Sequence, residues 1–279
     1  MINSNRSYRK QSSSVTQYKM KRLENKTALI TGGNAGIGYA TAKEFISQGA
    51  NVIITARDKS RLDEALKSLA SGAHGILSDA SSMDDIMALP EKVKVIASSL
   101  DILFLNAGYY NIVPFEMNNE EYFDTMNQIY NRGIYFTIQK LLPIIGPGSS
   151  IVITNTIAVN KTMPAGFSAL IAAKGAAAAL GRALANELAP RNIRVNTLSP
   201  GGIIDTPGAL KSVSMAMGVT SAGPEQVEAF SQNMLPGIPM KRFGKANEVA
   251  KSVLFLASDD SSYVTGIDLI VDGGKSITW

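Results

Sequence analysis

The sequence predicts one α/β domain built on a doubly wound parallel sheet of seven strands. Short apolar runs, typical of strands buried on both faces, alternate along the chain with amphipathic segments of about ten or more residues, typical of helices. The connections between these segments are short, and none has the composition of a linker. We therefore expect a single domain over residues 23–279 rather than two smaller ones.

The predicted elements follow in order from residue 23. The first strand covers 28–30, and a helix over 39–48 follows it after a glycine-rich turn. The other strands are predicted at 51–56, 75–78, 101–106, 150–154, 193–197 and 267–271, and the other helices at 59–70, 84–98, about 119–142, about 168–189 and 247–257. In such a fold, ligands bind at the carboxyl ends of the strands.

The turn after the first strand is the most informative segment. It reads Thr-Gly-Gly-Asn-Ala-Gly-Ile-Gly over residues 31–38. A strand, a glycine turn and a helix in succession bring bare backbone N–H groups and a positive helix N-terminus to a phosphate. A Cβ atom would block the tight turn or the approach of a pyrophosphate. The turn predicts a dinucleotide site that uses Gly32, Asn34, Gly36, Ile37 and Gly38.

Composition excludes several classes of protein. The chain is 45% apolar and 18% charged, as in ordinary globular proteins. Since no apolar run approaches the roughly 20 residues that cross a bilayer, we expect no membrane partner. The absence of cysteine excludes disulfides and a thiol nucleophile and fits a reducing compartment, so we expect a cytoplasmic protein. No cluster of metal-ligating residues appears in the sequence, and we predict no metal.

The positive charge is concentrated at the N-terminus. Residues 1–22 carry six of the 27 Lys and Arg residues and no acid, which leaves 21 basic and 23 acidic residues, a net charge of −2, in the remainder. The domain therefore has no basic surplus for nucleic acid, and we expect no such partner. Residues 1–22 are predicted to be a disordered extension; an Arg- and Ser-rich organelle import leader is the alternative.

Five motifs occur together and in order along the chain. Besides the glycine turn, they are Asn106-Ala107-Gly108 after the fourth strand, Lys174 in the helix after the fifth, Ser199-Pro200-Gly201 after the sixth, and Arg242-Phe243-Gly244 with the ending at 264–274. Over residues 23–279 the chain resembles the short-chain dehydrogenase/reductase family. The resemblance implies a Rossmann-type sheet, a nicotinamide dinucleotide, a carbonyl or alcohol substrate that the sequence does not specify, a homotetramer or homodimer, and a lid at about 206–237.

The end of the second strand bears on which nicotinamide is bound. An acid there would hydrogen-bond the adenosine ribose and repel a 2′-phosphate. Here the place falls on Ala56, followed by Arg57, whose guanidinium suits a phosphate. This favours NADP(H) over NAD(H). Two alternatives stay open: Arg57 is only a solvated strand end, or Asp58 takes the place of the acid.

The resemblance assigns further cofactor contacts. Asp79, with Ala80 beside it, matches the family residue that hydrogen-bonds the adenine. Asn106, Ala107 and Gly108 match the turn under the adenosine ribose. Pro200 and Gly201 match the segment beside the nicotinamide, although the stretch up to Thr206 is one residue longer than is usual.

The catalytic positions of the family are altered in this chain. The family uses a tyrosine as general acid, with a lysine four residues later on the same helix face. Lys174 matches the lysine, but the tyrosine position falls on Leu170, which cannot exchange a proton. Thr156 matches the family serine, with a spacing of 14 residues to Leu170 where 13 is usual, so Gly166 or a neighbour is inserted.

Tyr130 falls on the position of the family asparagine and is the leading candidate for a relocated acid. Tyr109 and Tyr110 are less well placed. The alternative is that Tyr130 only fills the space of an asparagine and a water. Three functions therefore stay open: an NADP(H)-dependent oxidoreductase with a relocated proton donor, a dinucleotide-binding pseudoenzyme that senses the cofactor or partners an active paralogue, and a non-redox activity such as elimination.

Overall fold

The structure is a computed structural model that describes residues 21–69, 71–109, 111–161 and 165–278. Most of the predicted N-terminal extension, residues 1–20, lies outside the described residues, as does Tyr110. Arg22 forms an ion pair with Asp260, and Leu23 is buried in the core. The described domain therefore includes Arg22, just ahead of the predicted boundary.

Seven strands occur in the described part of the chain: β1 (Thr27–Thr31), β2 (Asn51–Ala56), β3 (Ala73–Leu77), β4 (Leu100–Leu105), β5 (Ile145–Thr154), β6 (Arg194–Pro200) and β7 (Asp268–Val271). They form one parallel sheet in the order β3-β2-β1-β4-β5-β6-β7. The strand order reverses between β1 and β4, which makes this the switch point of the sheet. The predicted doubly wound, seven-stranded parallel sheet is confirmed.

Helices cover both faces of the sheet. Within the described ranges they are α1 (Gly36–Ser47), α2 (Lys59–Leu69), α3 (Met83–Lys94), α4 (Glu120–Asn127), α5 (Ile134–Leu141), α6 (Ser168–Leu188), α7 (Pro207–Ala216), α8 (Pro224–Met234) and α9 (Ala246–Ala257). One core cluster joins the sheet to α1, α2 and α9, and a second joins it to α3, α5 and α6. Burial on both faces explains why the strands are apolar throughout.

Two strands, β3 and β5, begin two or more residues ahead of their predicted starts. β3 begins two residues earlier than predicted, since Ala73 already pairs with Val52 of β2. It is an edge strand in which Ile76 alone is buried, so its apolar pattern is weak. β5 begins at Ile145, five residues early, because Ile145 pairs with Leu100 ahead of an irregularity in the register.

The helix predicted over about 119–142 is interrupted. α4 and α5 are separated by a π-helical segment, Gln128–Gly133. Such wider turns often occur at functional sites. Here the segment carries Tyr130, and Gly133 within it packs so tightly that a Cβ would lie 2.3 Å from the Ala80 carbonyl oxygen.

Helix α6 requires a correction to the hydropathy analysis. With the turn that follows, Ser168–Arg191 is long and apolar enough to cross a bilayer by length and composition, although no single apolar run indicated this. Its buried residues, including Ala177, Ala185 and Leu188, pack against the sheet. This packing accounts for the apolar composition of the helix.

Candidate active site

A cavity of about 1120 Å³ lies at the carboxyl ends of the strands, where doubly wound sheets bind ligands. The turns that follow six of the strands, β1 to β6, line it, together with α7 and Lys275 near the C-terminus. Ligand pockets of about 300–1,000 Å³ hold a drug-sized molecule, so this one has room for a dinucleotide and a substrate. Of the residues predicted for the site, all but Gly38 line the cavity.

The glycine turn between β1 and α1 is held in a conformation that needs glycine. Gly32 and Gly36 have φ values of +64° and +53°, a region that other residues rarely adopt. A Cβ on Gly32 would lie 2.8 Å from the Ala107 Cα. The turn after β1 therefore packs directly on the turn after β4.

Gly38, also predicted to contact the dinucleotide, is not among the residues that line the cavity. It is buried, and a Cβ there would lie 2.4 Å from the Gly32 carbonyl oxygen and 2.5 Å from Asn106 Nδ2. Gly38 therefore lets α1 approach the turn and the end of β4.

Gly38→Ala is expected to lower the free energy of unfolding by about 1–3 kcal/mol, because the methyl group meets backbone that cannot move aside. Dinucleotide affinity should fall with it, since the turn shifts. Chemical denaturation and NADPH titration measure both. Gly146→Ala is the matched control: a Cβ there meets nothing within 4 Å, so we expect a change within about 0.5 kcal/mol. Equal stability of the two variants would contradict the packing role.

The N-terminus of α1 is open to the cavity. Its N-cap residue, Ala35, has no side chain that hydrogen-bonds the first turn, and the first turn contains no acid. The first N–H groups of a helix carry partial positive charge and require acceptors. Because Asn34, Ala35 and Gly36 line the cavity, these groups fit a pyrophosphate.

The turn Asn106-Ala107-Gly108 is tied to the end of β1. The backbone N–H groups of Asn106 and Ala107 both donate to Thr31 Oγ1, at 3.0 Å. The Asn106 side chain donates to the carbonyl oxygens of Thr31 and Gly32, each at 3.2 Å. The two turns that face each other across the switch point therefore form one rigid unit.

The far end of the cavity, beyond β2, carries two arginines. Arg57 was predicted, whereas sequence reasoning missed Arg61, which lines the same wall from the first turn of α2. Asp58 caps this helix by accepting a hydrogen bond from the Arg61 N–H at 3.1 Å. The Asp79 carboxylate, predicted to face adenine, accepts from the N–H and the hydroxyl of Ser81 at 2.9 and 2.7 Å.

Lys174 lies at the inner end of the cavity. Its side chain is buried, with 7% exposed, and Nζ donates to the Thr154 carbonyl oxygen at 2.6 Å. Burial of the ammonium group lowers the pKa of Lys174 to about 7. At neutral pH the group is therefore close to half protonated and can either donate or accept a proton.

Leu170 lies one turn before Lys174 on α6 and lines the same wall. It is 4% exposed and belongs to an apolar cluster with Met126, Ile129 and Phe167. Gly166, the predicted insertion, sits in the turn ahead of α6 with a φ of +98°. The helix itself is unbroken, so the four-residue spacing between Leu170 and Lys174 keeps both on one face.

Tyr130 also lines the inner cavity, as predicted, but its hydroxyl group is engaged. It donates to the Tyr109 carbonyl oxygen at 2.6 Å and accepts from the Tyr109 N–H at 2.9 Å. Lys174 Nζ lies 4.2 Å from the centre of the Tyr130 ring, which is a cation–π contact. Tyr130 therefore fixes the segment after β4 and packs on the ammonium group.

The end of β5 carries the predicted Thr156 and, beside it, polar atoms of Thr154 and Asn155 that sequence reasoning missed. Thr156 Oγ1 accepts from the Ala158 N–H at 3.3 Å, which leaves its own proton available to a ligand. Asn155, 3% exposed, also lines the cavity, and neither polar atom of its amide has a partner among the described residues. The same holds for Thr154 Oγ1. Buried polar groups are nearly always satisfied, so these atoms fit a polar ligand or water.

The predicted lid region, about 206–237, contains α7 and α8. Thr206 caps α7 by accepting from the Ala209 N–H at 3.1 Å. Lys211 on α7 lies over the Tyr109 ring, with Nζ 5.1 Å from the ring centre. Of the lid methionines, Met234 lines the cavity, whereas Met215 and Met217 do not. The lid wall over the inner cavity is apolar, with Phe230 stacked near Phe243.

A family model described as enoyl-(acyl carrier protein) reductase matches residues 32–276. The chain is 35% identical over 257 residues to the oxidoreductase asL5 of Sarocladium schorii, covering 91% of this chain and 97% of that protein. A solved short-chain dehydrogenase/reductase family protein is 32% identical, with a TM-score of 0.77 over 92% of this chain and all of the other.

The chain belongs to the short-chain dehydrogenase/reductase family.

Solved structures of this family include one with a bound cofactor that closely matches the chain. L-sorbose reductase from Gluconobacter frateurii, complexed with NADPH and L-sorbose, is 26% identical, with a TM-score of 0.84 over 93% of this chain and all of that one. Members of the family bind NAD(P). The glycine turn, the open N-terminus of α1 and the turn after β4 fit such a dinucleotide.

In this short-chain dehydrogenase/reductase the positions predicted to depart from the family pattern, Leu170, Thr156 and Tyr130, line the cavity together with Lys174. The residues predicted to hold the dinucleotide line it as well, apart from Gly38. The predicted departures would therefore bear on proton transfer rather than on nucleotide binding.

Proposed function

We propose that this chain is an NADP(H)-dependent oxidoreductase that interconverts a carbonyl and an alcohol, with Lys174 rather than a phenol as the proton donor. One observation carries the proposal: the Lys174 ammonium group, with a pKa of about 7, lies on the cavity wall one helical turn from Leu170. General acids work best when their pKa is near the operating pH.

The residues of the site have separate roles. Gly32, Gly36 and the N-terminus of α1 would hold the pyrophosphate, and a bound nicotinamide would supply or accept the hydride. The Thr156 hydroxyl donates a hydrogen bond to the substrate oxygen. Lys174 gives its proton to that oxygen as negative charge develops there, and regains one from solvent. In the reverse direction neutral Lys174 removes the proton from the alcohol.

Tyr130 is the rival donor, and its hydrogen bonds argue against that role. Its hydroxyl proton is directed to the Tyr109 carbonyl oxygen at 2.6 Å. Transfer to a substrate would break this bond and the one from the Tyr109 N–H. Lys174 faces no such loss, since an ammonium group has three protons and, among the described residues, Nζ donates one hydrogen bond, to Thr154.

Arg57 and Arg61 support NADP(H) over NAD(H). Both line the far end of the cavity. The Asp58 carboxylate, in contrast, accepts a hydrogen bond from the N-terminus of α2. We expect Arg57→Ala and Arg61→Ala each to weaken NADPH binding about 10- to 100-fold, the loss of a charge-assisted hydrogen bond, with NADH binding nearly unchanged. Calorimetric titration of both cofactors measures this. Lys67→Ala, on the last turn of α2, serves as the control.

A pseudoenzyme is the second candidate, and a specific observation favours it. Leu170 is packed in an apolar cluster, and the hydroxyl group of Tyr130, in the same cluster, is bound to backbone. The decisive experiment is a panel of aldehydes, ketones and alcohols with NADPH or NADP⁺, followed by cofactor absorbance. Turnover of any member supports the oxidoreductase. Tight NADPH binding without turnover across the panel supports the pseudoenzyme.

We also propose a homotetramer or homodimer in the cytoplasm. Large apolar side chains on α4 and α5, Phe123 and Tyr135, are nearly half exposed, which suits burial against a second copy. Light scattering of the purified full chain measures the assembly. A monomer at micromolar concentration would contradict this part of the proposal.

A further inference from the structure

The charged side chains that line the cavity are of both signs at its far end and of positive sign at its inner end. At the far end, Arg57 and Arg61 are accompanied by two acids, Asp58 and Asp79. At the inner end the charged lining residues are Lys161, Lys174 and Lys275, with no acid among the described lining residues there. The end of the cavity assigned to the substrate is therefore cationic.

Lys161 is used to hold the C-terminal segment in place. Its Nζ donates to the carbonyl oxygens of Lys275 and Thr278, both at 2.6 Å, and to Thr278 Oγ1 at 2.9 Å. These three bonds match the three protons of an ammonium group. Lys161 therefore has no donor left for a ligand, but it fixes the backbone of Lys275 at the edge of the cavity.

The ammonium group of Lys275 is available to a ligand. Its side chain is half-buried, and its Cδ would lie 3.9 Å from a Cβ on Gly202, beside the end of β6. Among the described residues Nζ has no hydrogen bond and no ion pair. Asp272 attracts Lys275, but its carboxylate accepts from the N–H groups of Gly274 and Ser276, at 2.8 and 2.6 Å.

An ammonium group in this setting is destabilised. Burial lowers the pKa of Lys275, and Lys161 lowers it further, while Asp272 opposes the shift. A partly desolvated cation without a partner costs free energy that an incoming anion recovers. Lys275 lies beside Gly202, and a Cβ on the adjacent Gly201 would touch Ile157, the residue after Thr156, so such an anion would lie within the substrate end of the cavity.

We propose that Lys275 is a specificity-determining residue that binds a carboxylate on the substrate, which makes the substrate class an oxo acid or its hydroxy acid. This rests on the proposed function. The apolar wall formed by Ile203, Phe230, Met234 and Phe243 receives the hydrocarbon part of the molecule. A carboxylate is favoured over a phosphate because one lysine supplies a single charge, whereas phosphate sites in proteins combine several donors.

The test is a calorimetric titration of the NADP⁺-loaded full chain with 4-oxopentanoate and 6-oxoheptanoate and with their methyl esters. We expect at least one acid to bind about tenfold more tightly than its ester, the effect of one charge-assisted hydrogen bond. Lys275→Met should remove the difference, and Lys275→Arg should retain most of it. Lys251→Met, on the exposed face of α9, is the control and should bind as the wild type does.

Other results would overturn the carboxylate site or separate it from the proposed oxidoreductase. Equal affinity for acid and ester, or no acid binding in the wild type, overturns the carboxylate site. Loss of NADP⁺ affinity in Lys275→Met also overturns it, since Lys275 would then belong to the cofactor site. Because binding is measured without turnover, acid binding by an inactive protein retains the site while the proposed oxidoreductase fails. If NADP⁺ itself does not bind, the same titration on the unloaded chain tests the carboxylate site alone.

Discussion

Leu170→Tyr is expected to raise the rate of carbonyl reduction at pH 7 by about a hundredfold, the lower end of what a positioned general acid contributes. The phenol introduced at position 170 would lie one helical turn before Lys174, on the same face of α6 and on the cavity wall. The nearby ammonium group would lower the phenol pKa towards neutrality. The measurement is NADPH oxidation under saturating cofactor with a simple aldehyde, in the wild type, the single variant and the double variant with Thr156→Ser.

Leu170→Phe is the matched control for this gain. It adds the same ring without the hydroxyl group, so both variants carry the same strain against Met126, Ile129 and Phe167, about 1–3 kcal/mol of lost stability. A rate in Leu170→Tyr no higher than in Leu170→Phe would mean that position 170 does not face the reacting oxygen. The resemblance on which the tyrosine position was assigned would then be misaligned by the insertion at Gly166.

The fold was predictable because its signals are local. Strands such as β1 and β2 are continuous apolar runs since both faces of the sheet are covered, and the glycine turn is a contiguous sequence. The cavity followed from topology, because parallel strands end at one edge. Boundaries were less predictable where the pattern weakens: edge strand β3 has a single buried residue, Ile76, and the start of β5 depends on pairing with Leu100.

The chemistry at the inner end was less predictable because its contacts are distant in sequence. The bonds of Tyr130 to the Tyr109 backbone span 21 residues and depend on a π-helical segment that no pattern marked. The backbone of Lys275 at the edge of the cavity is held by Lys161, 114 residues earlier, through its carbonyl oxygen. Arg61 was predictable, since it lies four residues after Arg57, in the first turn of α2.

Lys174→Met is expected to lower turnover by about 100- to 10,000-fold under saturating NADPH, because the proposed proton donor is lost. The wild-type rate of reduction should fall as pH rises through about 7, where the ammonium group loses its proton. The variant should lack this inflection. Unchanged turnover in Lys174→Met would contradict the assignment. Tyr130→Phe tests the rival proton donor. We expect this variant to keep turnover within a few-fold of the wild type, while its free energy of unfolding falls by about 1 kcal/mol because the hydrogen bonds of the hydroxyl group are lost.

Lys174→Met should also change how the free energy of unfolding depends on pH, and the pKa of Lys174 fixes the sign of that change. The pKa of Lys174 is about 7 in the folded chain against 10.5 for an ordinary lysine, so between these values the unfolded chain binds more protons. The free energy of unfolding of the unliganded wild type should therefore rise with pH from about 7, by at most about 1.4 kcal/mol per unit from this group. Lys174→Met should remove that rise and be the more stable protein below pH 7. A parallel pH dependence in both proteins would mean that the buried ammonium group is paired more strongly than its bond to Thr154 implies, and a lysine held charged in that way could not serve as the acid at neutral pH.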